Sequence, residues 1–207
     1  MRNILQNLAN MLKVKTIVTL SVIAVFIILA LRGEISPDNI MIIVTSVISF
    51  YFGVQHEKGV VKIYLSPSDQ TGNLYAYGGT NEAAQCRRFA DAAQRALERC
   101  GFEVKNNQTS DMYARVAESN RWNSDLHVCI HTNAFDGTVS GTRMFAFNTT
   151  GSGYKAAQAI FRRLAPITPG SSENLTARPG LYEIKVSNAP CVYIEVDFHD
   201  NVEAAKW

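Results

Sequence analysis

Ser124-Asp125-Leu126-His127-Val128-Cys129-Ile130-His131-Thr132-Asn133 is the stretch that decides the fold. A short apolar run bounded by polar residues is the pattern of a strand buried in a parallel sheet. The run stops abruptly at His131 and gives way to Thr132 and Asn133. In open α/β sheets, ligands and metals gather at the carboxyl ends of strands. His131 is therefore a metal-ligand candidate, and Asn133 beside it a substrate-binding one. The competing reading is a structural histidine satisfied within the core. Two carboxylates favour a site: Glu82, which opens a helix, and Glu195, near the end of a second apolar strand.

Outward from this strand the chain alternates strands and helices from Val60 onward. Val61 to Leu65 reads as a strand, followed by a loop rich in turn formers from Ser66 to Asn73. Thr80 or Asn81 caps a helix whose Cys86, Phe89, Ala90, Ala93, Ala96, Leu97 and Cys100 share one face, and Gly101 stops it. Glu103 to Lys105 is a short strand, and Ser110 or Asp111 caps a helix reaching about Trp122. Thr142 to Phe147 is the next strand, and Gly153 to Leu164 a helix striped by Ala157, Ile160, Phe161 and Leu164. Leu181 to Ile184 and Cys191 to Val196 complete the strands. This β-α alternation predicts an α/β domain with a mostly parallel twisted sheet and helices on both faces.

The first sixty residues are of another kind. Thr16 to Leu31 and Ile40 to Gln55 are uncharged apolar runs, separated by a polar turn, Arg32-Gly33-Glu34-Ile35-Ser36-Pro37-Asp38-Asn39. As helices each spans about 24 Å, and the flanking Lys15 and Arg32 can snorkel to meet a hydrocarbon core of about 30 Å. The predicted organisation is a two-helix transmembrane α-hairpin over 1–60 and a globular domain over 61–207. A membrane location follows, with the lipid bilayer as one partner and the hairpin as a surface for self-association. Arg2, Lys13, Lys15, Lys58 and Lys62 against a lone Arg32 in the turn place both termini in the cytoplasm. The last residues, Asn201 to Trp207, read as the first turns of a helix cut short.

Composition excludes some classes. The 207 residues carry a net charge of +2, with no basic run interleaved with aromatics, which argues against nucleic acid. Cys86, Cys100, Cys129 and Cys191 lack zinc-ribbon or redox spacing, and each reads as a small buried hydrophobe. Cys86 and Cys100 lie about 21 Å apart on one helix and cannot bridge.

The chemistry resides in the carboxylates and histidines. Catalytic zinc sites use His, Glu and Asp ligands and leave a position for water, whose proton a nearby carboxylate carries to the leaving group. Glu82 lies in the first turn of its helix, where a carboxylate also suits the helix dipole. Glu195 lies in Val192-Tyr193-Ile194-Glu195-Val196, where an unpaired charge is costly to bury.

From about Lys62 to Trp207 these residues resemble the zinc-dependent N-acetylmuramoyl-L-alanine amidases, cell-wall hydrolases with a zinc-peptidase-like α/β fold. Arg115 with Ser119-Asn120 and Ser124-Asp125 is similar to the family's run leading into the zinc strand. Ile130-His131-Thr132-Asn133 resembles its Ile-His-x-Asn motif, and Ser140-Gly141-Thr142 the opening of its next strand. Ala189-Pro190 and Ile194-Glu195-Val196-Asp197-Phe198 resemble the segment that carries its catalytic glutamate. The resemblance implies His131 and Glu82 as zinc ligands and Glu195 as general acid/base.

The family's opening Asp-Pro-Gly-His-Gly-Gly is replaced here by Ser66-Pro67-Ser68-Asp69-Gln70, similar to a variant branch with a Ser-Pro-Ser-x-Gln opening. Asp69 stands opposite the missing histidine and becomes the expected third ligand. Gln70 is a poorer donor. His199, just past Glu195, is the other candidate and more naturally touches substrate. His127 lies about 13 Å from His131 along the same strand and is set aside. The expected function is hydrolysis of the amide bond between N-acetylmuramic acid and the L-alanine of peptidoglycan stem peptides, with Zn2+ as cofactor. Residues 1–60 resemble phage holin-like hairpins, so a membrane-lesion protein is one alternative. A catalytically inactive, membrane-anchored wall-binding module is the other.

Overall fold

The computed structural model describes residues 59–207 together with Ser21, Ala24, Val25, Ile28, Leu29 and Arg32. The chain divides into two units, Met1–Gly59 and Val60–Trp207. In the first, Ser21, Ala24, Val25, Ile28 and Leu29 are helical, and the Arg32 amide donates to the Ile28 carbonyl at 3.1 Å. Among the described residues no helix is long and apolar enough to cross a membrane. The two-span hairpin expected over 1–60 lies outside the described residues.

The second unit is built on a six-stranded sheet. Its strands are β1 (Lys62–Pro67), β2 (Glu103–Asn106), β3 (Leu126–Asn133), β4 (Arg143–Ala146), β5 (Asn174–Ala177) and β6 (Cys191–Phe198), ordered β2-β1-β3-β6-β4-β5. Every pairing is parallel except that of β4 with β6. The helices are α1 (Glu82–Arg99), α2 (Met112–Trp122), α3 (Ser152–Leu164), α4 (Tyr182–Val186) and α5 (Val202–Lys206), with a 3-10 turn at Ala165–Ile167. The mostly parallel sheet flanked by helices is thus present. One expectation is corrected: Leu181 to Ile184, expected as a strand, is the N-cap and first residues of the one-turn helix α4. The β5 edge strand, Asn174–Ala177, adds to the strands expected.

Helix starts follow from capping chemistry. Asn81 caps α1 by accepting the Ala84 amide at 2.9 Å, and Asp111 caps α2 by accepting that of Ala114 at 2.8 Å. Asn201 caps α5 through the Glu203 and Ala204 amides. Gly153, in the first turn of α3, meets β6 at close quarters, since a Cβ there would lie 2.7 Å from the Cys191 carbonyl oxygen.

The central strands present two different faces, because successive side chains point opposite ways. On one, Ile63, Leu65, Val128, Ile130, Met144, Val192, Ile194 and Val196 pack with Cys86 and Ala90 of α1 and Ala157 of α3. That layer is the apolar core. The opposite residues of the same strands are Tyr64 and Ser66, His127, Cys129 and His131, and Cys191, Tyr193 and Glu195. Ile184 of α4 packs there against Cys129, Phe145 and Cys191. One face therefore supplies burial and the other carries the reactive side chains.

Candidate active site

The strand pairing of β3 and β6 sets the site. His131 and Glu195 are direct cross-strand partners near the carboxyl ends of the two strands, just before a register shift between His131 and Asn133. Glu82 enters from the first turn of α1, where the Asn81 cap holds the helix start. Its Oε1 lies 2.9 Å from His131 Nδ1 and accepts the Thr132 amide at 3.3 Å. Its Oε2 accepts from Asn73 Nδ2 at 2.6 Å, and the Gln70 amide group lies 3.5 Å from the same His131 nitrogen. Glu82 is 1% exposed.

On its other side His131 faces a residue the sequence did not single out. Glu183 of α4 places Oε2 3.7 Å from His131 Nε2, and Oε1 3.2 Å from His127 Nε2. That Oε1 also accepts from Ser66 Oγ at 2.6 Å, and Ser66 Oγ in turn accepts from Arg115 Nε at 3.0 Å. Arg115, Glu183 and His127 are all fully buried. Buried charges of this kind persist only when paired and hydrogen-bonded. Burial opposes ionisation of Glu183, yet the His127 and His131 rings beside it and the Ser66 hydroxyl hold it well below the usual carboxylate range.

The electrostatics separate the roles. Burial alone would lower His131, but the carboxylates of Glu183, Glu82 and Glu195 prevail and hold it up at about 9. Burial raises Glu195 to about 7, with the negative Glu82 pushing the same way and His131 and Arg178 opposing. Glu82 is held low despite burial, by its bonds to His131 and Asn73. Of these carboxylates, one is poised to exchange a proton near neutral pH and two stay ionised. His131 Nε2, Glu183 Oε2 and Glu195 Oε2 are buried without a hydrogen-bond partner, so the site holds unspent polar capacity.

The other expected residues are placed differently. Asp69 is half-exposed and paired with Arg115 at 3.6 Å, and no contact joins it to His131 or Glu82. Among the described residues, one trio of His, Cys, Asp or Glu has ligand atoms mutually within 4.8 Å: His127, Cys129 and Cys191. Asn133 turns Oδ1 back to the Ala134 amide at 2.9 Å. His199 is buried, with Nδ1 3.0 Å from Thr132 Oγ1 and its ring stacked on Tyr75 at 5.7 Å. His199, Thr132 and Tyr75 line a cavity of about 780 Å³ that also takes in Tyr77, Arg88 and Trp207. Glu82, His131 and Glu195 are not in its lining, so the cavity adjoins the acid/base cluster.

A family model described as N-acetylmuramoyl-L-alanine amidase matches residues 66–207. Among solved structures, Cwp6 from Clostridium difficile matches with a TM-score of 0.65 at 21% identity, over 72% of this chain and 26% of its own. The N-acetylmuramoyl-L-alanine amidase from Clostridium difficile 630 matches with a TM-score of 0.64 at 18% identity, over 72% of this chain and 86% of its own. The catalytic domain of CwlV, an amidase from Bacillus (Paenibacillus) polymyxa var. colistinus, matches with a TM-score of 0.60 at 18% identity, over 71% and 85%. At these identities the likeness is one of fold. Curated protein sequences give no match.

Proposed function

The chain belongs to the N-acetylmuramoyl-L-alanine amidase family of peptidoglycan hydrolases, and we propose that it cleaves the muramoyl–L-alanine amide with Zn2+ bound beside Glu195. The observation that carries this reading is the 2.9 Å contact between His131 Nδ1 and Glu82 Oε1, next to a glutamate raised to about 7. The donor set fits zinc. His131 offers Nδ1 toward Glu82 and Gln70, while its other nitrogen faces the Glu183 carboxylate. A metal-binding histidine commonly gives its second N–H to such a carboxylate, which fixes the ring. Glu82 and His131 are the first two ligands. Gln70 turns its amide Nε2 toward His131 at 3.5 Å while its oxygen accepts from Asn73, and Asp69, the expected third ligand, pairs with Arg115 at 3.6 Å.

A zinc ion held there supplies a Lewis acid for the amide carbonyl and lowers the pKa of water. The protein's own part is proton handling and orientation. Ionised Glu195 accepts a proton from the attacking water and returns it to the departing amine of L-alanine. Burial keeps that carboxyl basic enough for both steps at neutral pH. Glu183 presents its carboxylate to the other ring nitrogen of His131, 3.7 Å away.

Glu195→Gln is the decisive test. Zinc content and folding should match the parent, while release of stem peptide from purified peptidoglycan falls by about 10²–10⁴-fold. Activity within a few-fold of the parent overturns the assignment. A parent chain that sediments with peptidoglycan yet releases nothing identifies a wall-binding module instead.

For residues 1–60 we propose a holin-like membrane hairpin, supported by the two uncharged runs and by exposed Val25 and Ile28 on a helical turn. A lesion formed by such a hairpin would give a cytoplasmic amidase domain access to the wall. The full chain should then resist an alkaline wash of membranes and require detergent. Recovery in the soluble fraction removes the hairpin.

A further inference from the structure

Beneath the catalytic cluster, the same face of the sheet carries a second group that the amidase chemistry does not use. Cys129 of β3 and Cys191 of β6 lie on adjacent strands with their sulfurs 3.6 Å apart, 0% and 5% exposed. His127, the direct cross-strand partner of Cys191, is also fully buried, and its ligand nitrogen lies within 4.8 Å of both sulfurs. The Glu183 carboxylate stands 3.2 Å from His127 Nε2.

We propose that His127, Cys129 and Cys191 form a buried structural site for a thiophilic divalent cation such as zinc, built from residues other than those of the catalytic cluster. Two thiolates and an imidazole are the donor types that structural zinc sites use, and all three are closed to solvent. With zinc–sulfur bonds of about 2.3 Å and tetrahedral angles, the two sulfurs of such a site stand about 3.8 Å apart, close to the separation seen here. A disulfide needs about 2.05 Å.

The histidine is prepared for this role. Its Nδ1 lies 2.9 Å from Ser119 Oγ, and Tyr64 stacks on its ring at 5.4 Å with the planes 6° apart. The ring is locked with Nε2 directed inward, the arrangement that a partner on the other nitrogen imposes on metal-bound histidines. Binding balances simply: two S–H bonds break, two protons leave to solvent, and two metal–sulfur bonds form. Because every donor is buried, the ion enters during folding and is retained until unfolding.

This inference does not depend on the amidase reading, and one experiment separates the two. The full chain is produced in cells supplied with cobalt(II), treated with EDTA while folded, and examined by absorption and metal analysis. The expected result is one retained equivalent and a near-ultraviolet thiolate-to-cobalt charge-transfer band, both lost on denaturation. His131→Ala, which removes the catalytic site, should keep the band. Cys129→Ser and Cys191→Ser should each abolish it, whereas Cys86→Ser with Cys100→Ser should leave it. If either single serine variant fails to fold, His127→Gln serves in its place and should weaken the band. A folded parent without the band overturns the proposal, as does a band that survives both Cys129→Ser and Cys191→Ser. A Cys129–Cys191 disulfide found by mass spectrometry of the freshly isolated chain overturns it equally.

Discussion

His131 sits among three carboxylates, and a sign follows for how the metal-free protein responds to pH. Its folded-state pKa, about 9, lies above the ordinary histidine value of 6.5. A group raised in this way stabilises the fold fully below about 6.5, and that contribution is lost as pH rises through 9. Glu195 is also raised, from 4.5 to about 7, and for an acid this means stability falls between those two values. The window from 7 to 9 therefore reports mainly His131. Thermal melting in EDTA should show stability declining across that window by an amount on the order of a few kcal/mol, and His131→Gln should flatten the slope. A parent curve flat between pH 7 and 9 contradicts the pairing with Glu82 and Glu183. The same proton competes with metal, so zinc affinity should rise with pH over this window. The sequence exposed His131 and Glu195 as candidates because a histidine or glutamate interrupting an apolar strand stands out against its neighbours. Glu183 was hidden, since its partners Ser66, His127 and His131 are distant in sequence and only folding brings them to one carboxylate.

At the scale of elements, the first turn of α1 couples folding to chemistry. Asn81 satisfies the Ala84 amide, and the very next residue is Glu82. Asn81→Ala should destabilise the domain by about 1 kcal/mol and also weaken zinc binding, because the carboxylate rides on a frayed turn. Denaturant unfolding and metal titration would check the two effects. Unchanged zinc affinity with reduced stability would show that Glu82 is positioned by its contacts with Asn73 and Thr132 instead. Most elements were legible because they carry clear signals: the α1 stripe of Cys86, Ala90, Ala93 and Leu97, the caps at Asn81 and Asp111, and the apolar runs of β3 and β6. The segment Leu181 to Ile184 was misread for a physical reason. Tyr182, Ile184 and Val186 alternate as a strand would, and a helix of one turn is too short to display its own period. β5 is harder to read because the polar–apolar alternation of Asn174-Leu175-Thr176-Ala177 runs for only four residues and one of its two apolar positions is the small Ala177.

At the scale of the whole domain, the central strands act as a partition between two sets of side chains, and the partition is visible residue by residue. Ile130, Val192 and Ile194 look into the aliphatic layer under α1 and α3, whereas His131, Tyr193 and Glu195 look the other way. A library carrying every substitution along β3 and β6 should therefore return a score that oscillates with a period of two residues. At Val128, Ile130, Val192 and Ile194, variants should disappear from the soluble pool unless the replacement is another aliphatic. At Glu195, a Gln variant should accumulate normally and fail only when challenged with cell wall. An inhibitor that works by occupying chemistry would then face resistance mutations on one side of the strands alone. The other side would be closed to escape, because a change there removes the enzyme along with its sensitivity.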